Sequence, residues 1–217
     1  WLFQFNGTGG IWRRATIEDA GGWSDYSLTE DLDLTVRAAL KDWRGLFVSY
    51  PAIPGQVPEG IRDFRRQQRR WSNGFVQVAQ RTIAPIWNSH WSLTNRIMAI
   101  SLIAHQIFFP AAAIGIIAAF IGIILHGSIA PYLGVLKLIG LMTTMVVLGI
   151  TLTPYLILRR GTILDYIKTM ASVPPLMIYL AFANGAKILQ TLQGRKSTFK
   201  RTPKLDHEGD TAEAEVE

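Results

Sequence analysis

The sequence predicts an α/β domain followed by an α-helical transmembrane region. Positions 1 to 60 alternate short, aromatic-rich apolar runs of strand character with helical segments, and glycines and prolines punctuate them. Beyond position 96 the chain carries apolar stretches long enough to cross a bilayer. Composition agrees: 49% of the 217 residues are hydrophobic and the mean hydropathy is +0.20, more apolar content than a soluble domain of this size needs.

The absence of cysteine excludes disulfides, thiolate metal sites and thiol nucleophiles, so a metal would have to use oxygen or imidazole ligands. The net charge of +6 is concentrated at positions 62 to 70 and 195 to 204, both beside apolar segments. That placement fits anionic lipid headgroups or phosphates, and no nucleic-acid motif occurs. The chain opens at Trp1 without a signal-like start, and the expectation is that it forms the C-terminal part of a longer protein.

Residues 1 to 14 read as strand, turn and strand: the apolar Trp1 to Phe5, the glycine-rich Asn6-Gly7-Thr8-Gly9-Gly10, then Ile11 to Arg14. Such a turn lets backbone approach a ligand closely, and an ordinary hairpin has the same composition. A short helix from Thr16 to Ala20 stops at Gly21-Gly22. Ser27-Leu28-Thr29-Glu30-Asp31 opens a helix running to about Lys41, with Ser27 and Glu30 as a capping box or Thr29 as the cap. Its first-turn acids sit where the helix dipole favours the charged carboxylate. Capping accounts for Glu30 and Asp33. Asp31 is the residue of interest, with capping and general-base roles both open from local sequence. Arg44 to Tyr50 reads as a strand, and Pro51, Pro54, Gly55, Pro58 and Gly60 break the following loop.

Positions 61 to 96 form a second region of amphipathic interfacial helices. Arg65-Arg66-Gln67-Gln68-Arg69-Arg70-Trp71 carries four arginines in six residues and ends on a tryptophan. On a helix Gln67, Arg70 and Trp71 share one face, while Ile61, Phe64, Gln68, Trp71, Phe75 and Val78 recur at spacings of three and four. A basic helix lying on a membrane surface is the plain reading. His90 and His105 read as ordinary hydrogen-bonding residues.

Positions 97 to 192 form the membrane region. Ile97 to Leu125 is a first span, kinked at Pro110, and Leu138 to Leu158 a second, ended by Arg159-Arg160, which the positive-inside tendency places in the cytoplasm. Ile163 to Leu192 carries Asp165, Lys168, Pro174-Pro175, Asn184 and Lys187. With five basic residues among positions 195 to 204 holding the tail inside, this segment is expected to be interfacial or re-entrant. Residues 193 to 217 form a cytoplasmic tail whose acidic end reads as disordered.

Taken together, Phe5-Asn6-Gly7-Thr8, Thr29-Glu30-Asp31 and Gln67-x-x-Arg70-Trp71, followed at once by transmembrane spans, resemble the C-terminal half of membrane-embedded family 2 glycosyltransferases of the cellulose synthase-like group. Phe-Asn-Gly-Thr and Gln-Gln-x-Arg-Trp-Ser look most like the mannan and glucomannan synthase-like branch and its bacterial relatives. Phe199-x-x-Thr202-x-Lys204 has the spacing of the cellulose synthase gating-loop motif, with Arg201 and Pro203 departing from it.

The resemblance implies a partial GT-A-type domain and assigns the base to Asp31, with Glu30 beside it. It places Gln67, Arg70, Trp71, Thr29, Asn6, Gly7 and Thr8 in substrate binding, and Phe199, Thr202 and Lys204 in gating. Inverting transfer needs an ionised carboxylate at the attacking hydroxyl and a cation at the leaving diphosphate. A guanidinium suits the second task and an indole can stack on a pyranose. A UDP- or GDP-linked sugar, a polysaccharide acceptor and a lipid bilayer are the implied partners. The implied cofactor is a divalent cation, Mg2+ or Mn2+, bound mainly by an N-terminal half, with no metal ligand in this chain. The rival readings are a non-processive transferase acting on a lipid and a non-catalytic transporter or scaffold in which Asp31 is only a cap.

Overall fold

The computed structural model describes residues 4–5, 7, 9–48, 50, 58, 60–128, 130–152 and 162–194. Among the described residues seven α-helices follow in order: α1 Arg14–Asp19, α2 Glu30–Leu40, α3 Ile61–Trp87, α4 Leu93–Ala104, α5 Phe108–His126, α6 Leu133–Leu152 and α7 Ile163–Leu192. Single 3-10 turns join α4 to α5 at His105–Ile107 and precede α6 at Ala130–Tyr132.

Trp1 to Phe3 of the first predicted strand lie outside the described residues, and the predicted strands at 11 to 14 and 44 to 50 do not form. Among the described residues no ladder forms: α1 begins at Arg14, inside the second expected strand, and residues 44 to 48 have no regular structure. Leu46, Phe47, Val48 and Tyr50 are exposed. A strand is held by a neighbour's backbone hydrogen bonds, and no described segment lies alongside to supply them.

The short helix α1 does stop at two glycines, Gly21 and Gly22, with φ of +85° and +77°. The helix opening at the acid cluster also forms, but the Ser27–Glu30 capping box does not. The N-cap is Thr29, whose side chain makes no capping bond. The Ser27 hydroxyl instead donates to the Gly74 carbonyl at 3.2 Å, a tertiary contact replacing a local one.

Helix α3 is the axis of the fold. Its outer part carries the arginines, and from Ser72 to Val76 five consecutive residues are buried, more enclosure than a helix lying on a bilayer would have. One side packs on α2 and α4, where Leu32, Val36, Phe75, Val78, Ala79, Ile86, Ala99 and Ile103 make the main core. The other side meets α7 and the 3-10 turn at His105–Ile107 through polar groups. The Ser72 hydroxyl donates to Gln106 at 2.7 Å, the Asn184 amide donates to Ser72 at 3.4 Å, and the Thr191 hydroxyl donates to Asn73 at 3.2 Å. Arg65 reaches the Tyr179 hydroxyl at 3.1 Å and Arg69 the Ala183 carbonyl at 3.4 Å, so these two arginines serve the α3–α7 contact rather than lipid headgroups. Arg66 pairs with Asp63 at the surface.

The first apolar stretch is helical from Leu93 to His126, and its irregularity lies at the 3-10 turn just before Pro110. In an unbroken helix the proline ring would meet the Gln106 carbonyl, so the chain restarts as α5 with Pro110 in the first turn. His105 donates from Nδ1 to the Leu102 carbonyl at 2.7 Å and His90 from Nε2 to the Asp42 carboxylate at 2.9 Å, ordinary hydrogen bonds as expected.

Residues 163 to 192 contain no re-entrant turn. They form one 30-residue helix through Pro174-Pro175, begun by a capping box between Thr162 and Asp165. It packs on α5 through Ala112, Ala113, Ala181 and Gly185, small residues that let the backbones close. Leu93–His126 and Met170–Leu192 are long and apolar enough to cross a membrane. The second expected span is described as far as Leu152, in α6. Exposed apolar side chains on α5, α6 and α7, such as Ile117, Phe120, Leu141 and Phe182, make outward faces suited to hydrocarbon.

Candidate active site

The acid cluster is delivered by the segment between Gly22 and Thr29. Arg37, one turn beyond Asp33 on α2, turns back to donate to the Ala20 carbonyl and, at 2.8 Å, to the Gly22 carbonyl, which fixes the start of that segment. Asp33 is fully buried and accepts from Arg37 at 2.9 Å and from Arg81 of α3 at 3.3 and 3.4 Å. A buried carboxylate needs such partners to offset lost hydration. Asp33 is therefore an internal ion-pair centre and not a helix cap, which corrects the sequence reading.

Two residues earlier, Asp31 is half-buried and turned the other way. Its Oδ1 accepts from the Leu32 N–H at 2.9 Å. A Cβ built at Gly7, whose φ is +78°, would lie 3.2 Å from Asp31 Oδ2, so the glycine turn approaches the carboxylate as closely as backbone allows. Burial pushes the Asp31 pKa above the ordinary 3.8; the Leu32 N–H pulls it back, the Glu30 carboxylate raises it, and the Arg70 guanidinium lowers it. A carboxylate displaced in this direction is a better proton acceptor.

Arg70 lies across from it on α3 and donates to the Leu28 carbonyl at 3.4 Å, three residues before Asp31. Thr29 is buried against Gly74. Glu30 is exposed, Gln67 is partly buried and Trp71 is 39% exposed, enough to offer a ring face. An open cleft of about 640 Å³ is bordered by Trp23, Asp25, Leu28 and Glu30, an indole and two carboxylates beside the acid cluster. Asn6 and Thr8 lie outside the described residues, as do Phe199, Thr202 and Lys204.

The structure therefore brings Gly7, Thr29, Asp31 and Arg70 together. Sequence reading missed Gly74, Gln77 and Arg81 and gave Asp33 only a capping role. Gly74 left a signal, because a glycine inside a helix costs about 1 kcal/mol and marks a packing demand. Asp33 and Arg81 left none, being 48 residues apart. Among the described residues no group of three or more His, Asp or Glu is placed to hold a metal ion.

A half-buried carboxylate set against a guanidinium, with an open cleft alongside, is an arrangement able to accept a proton next to a cation suited to an anionic group. The chain matches the family described as glycosyl transferase family group 2 over residues 2–183, and it belongs to that family. It is 36% identical over 116 residues to glucomannan 4-beta-mannosyltransferase 2 of Arabidopsis thaliana, covering 50% of this chain and 22% of that protein. The probable glucomannan 4-beta-mannosyltransferase 3 of Oryza sativa subsp. japonica is 33% identical over 116 residues, 50% of this chain and 21% of its own length. The probable glucomannan 4-beta-mannosyltransferase 10 of Arabidopsis thaliana is 43% identical over 85 residues, 39% of this chain and 15% of the relative. The chain thus spans under a quarter of the length of these relatives. No solved structure matches it.

Proposed function

We propose that this chain carries the acceptor-activating and diphosphate-binding side of a membrane-bound, inverting β-glycosyltransferase that adds hexose from a UDP- or GDP-linked donor to a growing polysaccharide. Asp31 removes the proton from the acceptor hydroxyl as that oxygen attacks the anomeric carbon and the bond to the nucleoside diphosphate breaks. Arg70 and Gln67 donate to the departing diphosphate, and Trp71 stacks on the acceptor sugar. Glu30, exposed beside Asp31, contributes negative charge that helps keep the base's affinity for its proton high. The names of the mannosyltransferase relatives favour a β-linked mannan or glucomannan product.

The observation that carries this reading is the meeting of Asp31 and Gly7 with the α3 face bearing Arg70. The resemblance adds a divalent cation held by residues beyond this chain. It also adds a gating role for Phe199, Thr202 and Lys204, with Asn6 and Thr8 lining the donor side. We place the protein in the inner (plasma) membrane, multi-pass, with the site cytoplasmic. The apolar lengths of Leu93–His126 and Met170–Leu192 and the positive charge of Arg159-Arg160 and the tail support this.

The test is incorporation of radiolabelled UDP- and GDP-hexoses by membranes from cells expressing the protein, with Asp31→Asn and Trp71→Ala variants. Asp31→Asn should abolish incorporation, and Trp71→Ala should shorten the polymer more than it slows donor hydrolysis. Undiminished incorporation by Asp31→Asn would remove the base assignment. A single labelled sugar on an organic-soluble lipid would replace the polysaccharide-acceptor reading with the lipid-acceptor one.

A further inference from the structure

We infer that Gln77 and Gly74 are positioning residues that hold the Asp31 backbone at a fixed distance from Arg70, an inference that rests on the reading of Asp31 as the base. The segment carrying Thr29 and Asp31 has no ladder, and the side chain of Thr29 makes no capping bond. Its anchors come from α3. The Leu28 N–H donates to Gln77 Oε1 at 2.9 Å, while the Leu28 carbonyl accepts from Arg70 Nη1 at 3.4 Å. The Ser27 hydroxyl donates to the Gly74 carbonyl at 3.2 Å and accepts from the Thr29 N–H at 3.0 Å.

Arg70, Gly74 and Gln77 fall at i, i+4 and i+7, a single helix face. One face of α3 therefore carries the guanidinium and grips both backbone polar groups of Leu28. Gly74 sets how close the two elements come. A Cβ there would lie 2.5 Å from Thr29 Cγ2 and Oγ1 and 2.8 Å from the Thr29 nitrogen, and the last of these is backbone that rotamer change cannot move. Beneath the contact Leu32 and Val36 of α2 share a core with Phe75 and Val78 of α3, so the two helices do not slide freely. Gln77 meets the segment leading to Asp31 at the Leu28 N–H. Its effect is on where Asp31 stands, and a misplacement of about 1 Å in a reacting group can cost about 100-fold in rate.

The test compares Gln77→Leu, Gln77→Glu and Asp31→Asn in the full chain in native membranes, reading kcat and donor KM from labelled hexose transfer. Gln77→Leu should lower kcat about 10- to 100-fold with donor KM unchanged within about twofold. Gln77→Glu should restore most of the rate, because its carboxylate oxygen can accept from the Leu28 N–H. If Asp31→Asn is inactive while Gln77→Leu keeps wild-type kcat, or changes only KM, the positioning role is overturned and the reading of Asp31 stands. If Asp31→Asn retains wild-type kcat, the reading itself falls. Should Gln77→Leu not accumulate, Gly74→Ala decides. A fall in kcat at constant donor KM supports positioning, whereas unchanged kcat, or failure of both variants to accumulate, assigns the contact a purely structural role.

Discussion

Arg81 of α3 reaches across to the buried carboxylate of Asp33 on α2, its Nη1 lying 3.3 Å from Oδ1 and 3.4 Å from Oδ2, while the Arg81 guanidinium also sits 5.0 Å from the centre of the Tyr26 ring. Asp33 shares its second oxygen with Arg37, which in turn holds the Ala20 and Gly22 carbonyls. One carboxylate thus ties α2, α3 and the segment leading to the acid cluster. Asp33→Ala should destabilise the protein by about 3–5 kcal/mol, because it leaves two guanidinium groups without their shared anion. Thermal unfolding of the detergent-solubilised protein checks this, and an unchanged midpoint would show that the ion pairs contribute nothing net.

Asp31 behaves oppositely. Burial raises its pKa, so the fold favours the protonated form; the stability this group adds is present below the ordinary carboxylate pKa of 3.8 and is lost as pH rises through the raised value. At neutral pH the ionised Asp31 is a cost to the fold. Asp31→Asn should therefore leave the neutral-pH melting temperature equal or higher while transfer falls by about 10²- to 10⁴-fold. The same shift places the acid limb of the wild-type rate profile at a higher pH than an exposed aspartate would give. A rate flat through that range would argue against Asp31 as the base.

Arg70→Lys keeps the charge and loses the planar fork that can meet a diphosphate in bidentate fashion and still hold the Leu28 carbonyl. Donor KM should rise and kcat should fall, together worth about 10- to 100-fold in kcat/KM, corresponding to one or two charge-assisted hydrogen bonds. Initial rates at varied donor concentration report this directly, and wild-type kcat/KM would show that a point charge suffices.

Gly185 faces Pro110 across the α5–α7 contact, where an added Cβ would lie 3.2 Å from the proline Cα. Gly185→Val should push the two helices apart and cost about 1–3 kcal/mol, seen as earlier unfolding in detergent. The Gln77 and Gly74 variants described above complete the set and act on rate rather than on helix packing.

Local pattern marked much of the candidate site. Thr29 to Asp33 announced a helix start loaded with acids, and Gln67, Arg70 and Trp71 announced a shared helix face, because both signals are carried by spacings of a few residues. Glycine pairs and apolar lengths likewise marked the stop after α1 and the long apolar helices. The strands at 11–14 and 44–50 were misread for a physical reason: strand character in a side-chain pattern is realised only when another backbone supplies the hydrogen bonds.

By itself, then, the sequence determined which segments are helical, where the charge and the apolar length lie, and which acids and cations are candidates for chemistry. Only the tertiary structure decided the surroundings of the neighbouring acids. Asp31 and Asp33 are two residues apart on one helix, so no local rule separates them beyond the face each takes. The packing of α3 against α2 buries Asp33 between Arg37 and Arg81 and leaves Asp31 half-open beside Gly7. It also turned three of the four arginines from presumed lipid contacts into an α3–α7 tie, a surface pair with Asp63 and nothing catalytic. Burial and partner choice are properties of contacts between segments distant in sequence, and short-range spacing carries no information about them.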